Sequence, residues 1–184
     1  MPDMTRRSFL RYCAITSGLM ALGNLRLAPG PREALAGAVY QWRVLGEKEA
    51  AVLAAVMERM MRGDDPELPP VRQTKAVETA DWALAYAAEE QQVQFRWLLR
   101  LFQWSPPLMI RRFAPFTALA AADQDRCLQA WEQSSIGWLH LGFRALKNVS
   151  ALGYYSQDAT WPVIGYRGPW VPRPARSPRM TEAG

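Results

Sequence analysis

The sequence is poor in the residues that carry metal and redox chemistry. Its 184 residues include one histidine and two cysteines, and neither cysteine belongs to a Cys-x-x-Cys or Cys-x-x-Cys-His motif. A haem, an iron–sulfur cluster or a structural zinc needs several such ligands at short spacing. This chain alone cannot supply them, and we predict that it holds no metal and no cofactor.

Motifs for nucleotide binding and covalent catalysis are also missing. The chain contains no Gly-x-Gly-x-x-Gly after a strand, no Walker A sequence and no Gly-x-Ser-x-Gly. His140 could act as a general base at neutral pH, although a packing or interface role is the simpler interpretation. The acidic residues Asp64, Asp65 and Glu67 could bind a divalent cation, although acidic loops are usually solvated surface. We predict no catalytic residue.

Charge of one sign is lacking in the central part of the chain. Lys and Arg exceed Asp and Glu by five, but the excess lies in residues 1–36 and from Arg167 onward. Residues 37–166 contain 13 basic and 14 acidic residues, and the two signs are interspersed along the sequence. A nucleic-acid-binding domain needs a basic face. We therefore predict no nucleic-acid partner and, from the length and an apolar fraction of 49%, a single globular domain.

The N-terminal residues carry an export motif. Two adjacent arginines followed by x-Phe-Leu resemble the twin-arginine (Tat) signal, which the Tat translocase recognises. The motif residues are Arg6, Arg7, Ser8, Phe9 and Leu10. We therefore predict that the Tat translocase exports the protein to the periplasm.

A cleavage site follows the export motif. Ala34-Leu35-Ala36 has small residues at the two positions that a signal peptidase reads, which predicts a signal peptide over residues 1–36. The uncharged run from Tyr12 to Leu25 has 14 residues, fewer than the ~20 of a transmembrane helix. An uncleaved leader that anchors the protein at the membrane is the alternative.

Cleavage after Ala36 removes Cys13 and leaves Cys127 as the single cysteine of the mature chain. A lone cysteine in an oxidising compartment is either a buried, small apolar residue or one half of an intermolecular disulfide. The position of Cys127 in an amphipathic stretch favours burial, and the disulfide remains the alternative.

Hydrophobic periodicity predicts an all-α domain over residues 37–153, with four to six helices and no strand. The first helix is expected at 47–62, ending at Gly63, and a long second helix from Thr74 to the Pro106-Pro107 stop. The later expected features are a short helix at 108–113, a helix N-cap at Asp123, a second N-cap at Ser134 or Ser135, and a helix end at Gly153.

The long second helix has an unusually wide apolar surface. Trp82, Tyr86, Val93, Trp97 and Leu101 lie beside the main stripe of core residues. Such a pattern is typical of a helix that is packed on more than one side.

The composition changes after Gly153. Residues 154–170 are rich in aromatic residues, Gly and Pro and predict an extended strap, and residues 171–184 resemble a disordered basic tail. Exposed aromatic residues are typical of interface hot spots. The predicted partner interface consists of Tyr154, Tyr155, Trp161, Gly165, Tyr166, Gly168, Pro169 and Trp170. The alternative is that these side chains fold back over the helices of the same chain.

The same residues resemble a known family. The order Leu152-Gly153-Tyr154-Tyr155, then Trp161-x-x-Ile164-Gly165-Tyr166-x-Gly168-Pro169, is similar to that of the gluconate 2-dehydrogenase subunit 3 family. The apolar spacing of Phe116-x-x-Leu119, Leu128-x-x-Trp131-x-x-Ser134 and Phe143-x-x-Leu146 also fits. The eight tryptophans and the segment 64–112 depart from the usual pattern.

The resemblance implies a non-catalytic small subunit. In that family it pairs with a large FAD-bearing dehydrogenase subunit of the glucose-methanol-choline (GMC) type, which lacks its own signal and is exported with it. A cytochrome c subunit often takes the electrons onward. We therefore expect an export escort and stabiliser at the periplasmic face of the inner membrane, with FAD in the partner. An independent periplasmic helical protein that binds a ligand or is anchored to the membrane is the alternative.

Overall fold

The computed structural model describes residues 40–168, and this part contains six α-helices and no strand, which confirms the all-α prediction. The helices are α1 (Glu47–Met57), α2 (Ala76–Leu84), α3 (Glu89–Gln103), α4 (Pro106–Ile110), α5 (Ala121–Glu132) and α6 (Gly137–Tyr155). None of the helices in this part has the length and apolar character needed to cross a membrane.

The first helix agrees with its prediction over residues 47–62. It begins where the backbone N–H of Gly46 donates to the Glu49 carboxylate (2.6 Å), so that one of the unpaired N–H groups of the helix start is satisfied. After Met57 the helix continues as one π-helical turn, Glu58–Arg62. It ends at Gly63, whose φ of 58° is a conformation that favours glycine.

The predicted long helix is wrong in one respect, because residues 85–88 divide it into α2 and α3. No Gly or Pro marks the break. The Gln92 side chain donates to the carbonyl oxygen of Ala87 (2.9 Å) and so satisfies an acceptor in the turn. The break lets α2 pack against α6 while α3 packs against α1.

The core is formed around α1, which contacts α2, α3 and α6, while α6 also contacts α5. Aromatic rings fill the end of the core near α4. The Phe102 ring lies 4.7 Å from that of Phe116 and 5.0 Å from that of Trp131, in tilted and edge-on arrangements. Such pairs add stability beyond the apolar area that they bury.

Gly153 does not end a helix, as the sequence predicted, but lies inside α6. A Cβ atom at this position would collide with the carbonyl oxygen of Ala76 and would lie 2.8 Å from Met57 Cε. The glycine therefore allows the backbones of α2 and α6 to approach each other closely at this point.

Three other predicted helix boundaries are shifted. Helix α4 begins at Pro106 rather than at 108, and α5 begins at Ala121, so that Asp123 lies in its first turn instead of capping it. Helix α6 begins after Ile136, and the Ser134 hydroxyl accepts the Ile136 N–H at 3.2 Å.

The buried carboxylate of Asp81 in α2 holds the segment before α1. Its Oδ1 accepts the backbone N–H groups of Val44 (3.0 Å) and Leu45 (2.8 Å), and its Oδ2 accepts that of Arg43 (2.8 Å). The Tyr40 hydroxyl also donates to Oδ2 at 3.1 Å. Burial, followed by the charge of Asp81, raises the pKa of Tyr40.

Candidate partner-binding surfaces

Part of the predicted site lies outside residues 40–168 and stays a prediction. These residues are Arg6, Arg7, Ser8, Phe9 and Leu10 of the export motif, Ala34 and Ala36 of the cleavage site, and Pro169 and Trp170 of the strap.

The described part of the strap is not extended, which corrects the prediction. Helix α6 continues through Tyr155, a 3-10 turn follows at Asp158–Thr160, and further turns lead to Gly168. The Trp161 indole N–H donates to the Tyr155 carbonyl oxygen (3.0 Å), and the Tyr166 N–H donates to the Trp161 carbonyl oxygen (2.9 Å). We call residues 156–168 the C-terminal hook.

Two glycines allow the hook to close. Gly165 and Gly168 have φ values of 71° and 95°, which disfavour a side chain. The Trp161 ring packs edge-on against Tyr166, with centroids 5.2 Å apart, and lies 3.2 Å from where a Cβ of Gly168 would be. Tyr155, Ile164 and Tyr166 remain exposed on the outside of the hook.

Tyr154 is not part of an exposed surface, which corrects its assignment to the partner interface. Its ring is fully buried, and its hydroxyl donates to the Pro69 carbonyl oxygen at 2.6 Å. Burial, followed by the negative charge of Glu58, raises the pKa of Tyr154 to about 12. For this residue, folding back over the helices of the same chain is the correct alternative.

Cys127 is buried as well, and in this fold its sulfur is out of reach of another chain. The sulfur lies 3.7 Å from the Ser105 hydroxyl, which accepts the indole N–H of Trp131 at 3.0 Å. Burial raises the pKa of the Cys127 thiol, so the reactive thiolate is disfavoured. The intermolecular disulfide is therefore not available to the folded chain.

His140 is exposed, and its Nδ1 lies 2.9 Å from the carbonyl oxygen of Glu132. That oxygen can only accept, so Nδ1 carries the proton of this hydrogen bond. No carboxylate orients the ring among the contacts of residues 40–168. This hydrogen bond sets the tautomer of the ring and leaves Nε2 as its acceptor nitrogen.

The acidic loop after α1 is tied to the protein rather than gathered around a common point. Asp64 pairs with Arg59 at 2.9 Å, and Asp65 accepts the backbone N–H of Glu67 at 2.9 Å. Within residues 40–168 no three His, Cys, Asp or Glu side chains are grouped so that they could hold a metal ion.

A shallow groove of about 390 Å³ lies between the π-helical turn, α5 and α6. Arg59 reaches across it to Asp125 with two hydrogen bonds, at 2.8 and 2.6 Å, so these two charges neutralise each other. The groove also contains Glu132 and Lys147. It is wide open and offers no set of convergent, unpaired polar groups of the kind that fixes a small ligand.

The outer side of α3 is an apolar surface that the described chain leaves uncovered. Val93, Trp97, Arg100 and Trp104 recur at helical spacing on the side opposite the buried residues Phe95, Leu99 and Phe102. We call these four outer residues the tryptophan face; Trp97 is 46% exposed. The sequence predicted a helix packed on two sides, and residues 40–168 cover only one of them.

A second aromatic pair lies just before α3, at the end of α2 and in the turn that follows it. The rings of Trp82 and Tyr86 are packed edge-on with centroids 4.7 Å apart, and both are largely exposed. The turn at 85–88 joins this pair directly to α3. Exposed aromatic groups that are already in contact lose little freedom when a partner covers them.

Arg100 of the tryptophan face forms a salt bridge with the buried carboxylate of Glu49 in α1. Its Nε and Nη2 lie 2.8 and 2.6 Å from Glu49 Oε1, and its guanidinium carbon lies 5.3 Å from the centre of the Trp97 ring. Burial alone would raise the pKa of Glu49, but hydrogen bonds from Gly46 and Arg100 and the charges of Arg100 and Arg96 outweigh it and lower that pKa.

Sequence reasoning named Trp97 and Val93 only as part of a wide apolar stripe and missed Glu49, Arg100 and Asp81. The signal for Arg100 was its place at i+3 from Trp97 and i+7 from Val93, on one face of a helix. Apart from Gly46, which is three residues from Glu49, the partners of Glu49 and Asp81 are 36 to 51 residues away in the chain, and no local pattern reveals them.

No protein-family model, no curated protein and no solved structure matches this chain.

Proposed function

We propose that this chain is the non-catalytic small subunit of a periplasmic, flavin-dependent dehydrogenase complex of the GMC type. It accompanies the FAD-bearing large subunit through the Tat pathway and stabilises it after export. The chain supplies the export signal and the docking surfaces, and the large subunit supplies the flavin and the catalytic residues. A cytochrome c subunit that receives the electrons completes the complex at the periplasmic face of the inner membrane.

The observation that carries the proposal is the exposure of large aromatic side chains in fixed positions. On the C-terminal hook, the exposed Tyr166 ring is packed against Trp161. At the end of α2, the exposed Trp82 ring is packed against Tyr86. Preset aromatic groups of this kind are typical hot spots of protein interfaces. The Tat-like leader and the family resemblance supply the identity of the partner and the export role.

The proposal is tested by inactivating the twin-arginine export signal. The chain is produced with an affinity tag, and the flavoprotein that copurifies with it is identified by mass spectrometry. In the double variant Arg6→Lys, Arg7→Lys, that flavoprotein should accumulate in the cytoplasm instead of the periplasm, because both subunits depend on one signal. Arg26→Lys, in the same leader but outside the motif, is the control and should leave export unchanged.

A flavoprotein that reaches the periplasm in normal amount with the double variant would contradict the escort role. A chain that is purified without any second subunit would favour the independent helical protein instead. In that case, an intact mass that retains residues 1–36 would assign it as a membrane-anchored protein, and loss of these residues as a free periplasmic one.

A further inference from the structure

The two arginines on α3 are not balanced by acidic groups of the described chain. Arg96 and Arg100 share one carboxylate, that of Glu49, which is buried beneath them. Arg100 forms charged hydrogen bonds with it, whereas Arg96 Nε lies 3.4 Å away from the same oxygen and has no hydrogen-bond partner. Two guanidinium groups against one carboxylate leave a surplus of positive charge at this surface.

The surplus lies next to apolar area. The side chains of Arg96 and Arg100 are 39% and 42% exposed, and Arg100 is stacked over the half-exposed ring of Trp97. A guanidinium presents five N–H donors in a planar fork, which matches the two oxygens of a carboxylate. Because Glu49 and Trp97 already fix the position of Arg100, little side-chain freedom is lost when it binds a further acceptor.

We propose that the tryptophan face docks a protein partner that presents an apolar patch with a carboxylate beside it. The apolar patch covers Val93, Trp97 and Trp104, and the carboxylate binds terminal Nη–H groups of Arg96 and Arg100 that Glu49 leaves unpaired, rather than the buried Nε of Arg96. The inference rests on the proposed function in that it treats the chain as a subunit. It goes further in naming a second surface, separate in sequence from the C-terminal hook, and the chemistry of what binds there.

A protein fits this surface better than a membrane. Binding to anionic lipid headgroups needs clustered Lys and Arg with few acidic neighbours. The first turn of α3 carries Glu89 and Glu90, and residues 37–166 have a balanced charge. A pair of arginines around one buried carboxylate favours a single acidic side chain placed at a defined point.

The test is site-specific photo-crosslinking in the full chain, produced in its own host. The photoreactive residue p-benzoylphenylalanine replaces Val93, and in a parallel sample Gln129, an exposed residue of α5. The expected result at position 93 is one main protein adduct, whose crosslinked peptide contains Asp or Glu close to apolar residues. Position 129 should not give this adduct.

The charge requirement is tested in the same strain. Arg100→Gln should lower the adduct yield about tenfold or more, the loss typical of a hot-spot arginine. Arg144→Gln, which changes an exposed arginine of α6 that forms no ion pair with residues 40–168, should leave the yield within about twofold. Trp97→Ala keeps the Glu49–Arg100 pair and should also lower the yield, which separates the loss of a contact from a loss of folding.

The outcomes separate this inference from the proposed function. An Arg100-dependent adduct with a flavoprotein supports both. An Arg100-dependent adduct with an acidic peptide of a protein that has no flavin, in a chain that copurifies with no flavoprotein, supports the docking surface and overturns the proposed function. Copurification of a flavoprotein with the chain, without any protein adduct at position 93, overturns the docking surface alone. Adducts with lipid, with the same chain or with many proteins, or a yield insensitive to Arg100→Gln, also overturn it.

Discussion

The carboxylate of Asp81 lies 2.8 Å from the backbone nitrogen of Leu45, across 36 residues of sequence. Together with the N–H groups of Arg43 and Val44, it forms a small anion site made of three consecutive backbone donors. These contacts fix the segment that leads into α1 to the side of α2. Asp81 is fully buried, so water cannot replace its oxygens if they are lost.

We therefore expect Asp81→Asn to be strongly destabilising. The asparagine amide keeps one acceptor oxygen, but its NH₂ group would face backbone N–H donors. An NH₂ group cannot accept hydrogen bonds from them. The free energy of unfolding should fall by about 3 kcal/mol or more, as for other broken networks of buried charge. Urea denaturation followed by circular dichroism measures the change.

Asp123→Asn is the matched control. Asp123 pairs with Arg112 and Arg126, both at 3.0 Å, but more than half of each arginine side chain is exposed. Exposed pairs contribute about 0–1 kcal/mol. An Asp81→Asn variant that is no less stable than Asp123→Asn would show that Asp81 is not the anchor of this segment.

Gly153→Ala should destabilise the crossing of α2 and α6. The added methyl group would meet Met57 Cε at 2.8 Å and Ala80 Cβ at 3.1 Å in a helix pair with no free space. Overpacking of this kind costs about 1–3 kcal/mol. Gly137→Ala, at the start of the same helix, meets nothing within 4 Å and should be neutral or stabilising. Thermal unfolding of the two variants compares them, and equal melting temperatures would argue against the close crossing.

Tyr154 should make the protein sensitive to alkaline pH. Its folded-state pKa of about 12 is above that of an unfolded tyrosine, ~10, so the folded state holds this proton more tightly. The resulting stability is fully present below pH 10 and is lost as the pH rises towards 12, by about 2–3 kcal/mol.

Tyr154→Phe removes the titrating group and the hydrogen bond to Pro69. The variant should be less stable at neutral pH by about 1 kcal/mol, but its stability should fall less steeply between pH 10 and 12. Urea midpoints across this pH range provide the measurement. Parallel curves for the two proteins would show that Tyr154 does not titrate with a raised pKa.

The Cys127 thiol should not react in the folded protein. Its burial and raised pKa both oppose thiolate formation. In a Cys13→Ser background, we expect labelling by a water-soluble disulfide reagent to be slow in buffer and rapid in denaturant. Rapid labelling of the native chain, or a covalent dimer under non-reducing conditions, would contradict the buried position.

The sequence was sufficient for features that depend on local pattern. The 3.6-residue period predicted the helical class, and Gly63 marked the end of the first helix because a positive φ favours a residue without a side chain. The division between α2 and α3 was not predictable in the same way. Its residues Ala85 to Ala88 include no helix breaker, and the turn depends on a hydrogen bond from Gln92 and on the different packing of the two helices.

The sequence did not show which aromatic side chains would be buried and which would be exposed. Tyr154 and Tyr155 are neighbours in the sequence, yet one is fully buried and the other is exposed, because α6 turns only one of them towards Pro69. Trp97 lies on an apolar stripe as wide as that of a fully buried helix. The stripe predicted a second packing partner, and the fold leaves that side of α3 uncovered among residues 40–168.

The pairing of this chain with a larger flavoprotein can be measured as the native mass of the tagged chain purified from the periplasm. Size-exclusion chromatography with light scattering, combined with a visible absorption spectrum, gives mass and flavin content for the same peak. We expect a flavin-coloured species far heavier than this chain, whose 184 residues amount to 20.8 kDa with the leader included, and a second, larger polypeptide in constant ratio. A colourless species with the mass of one chain would contradict this expectation.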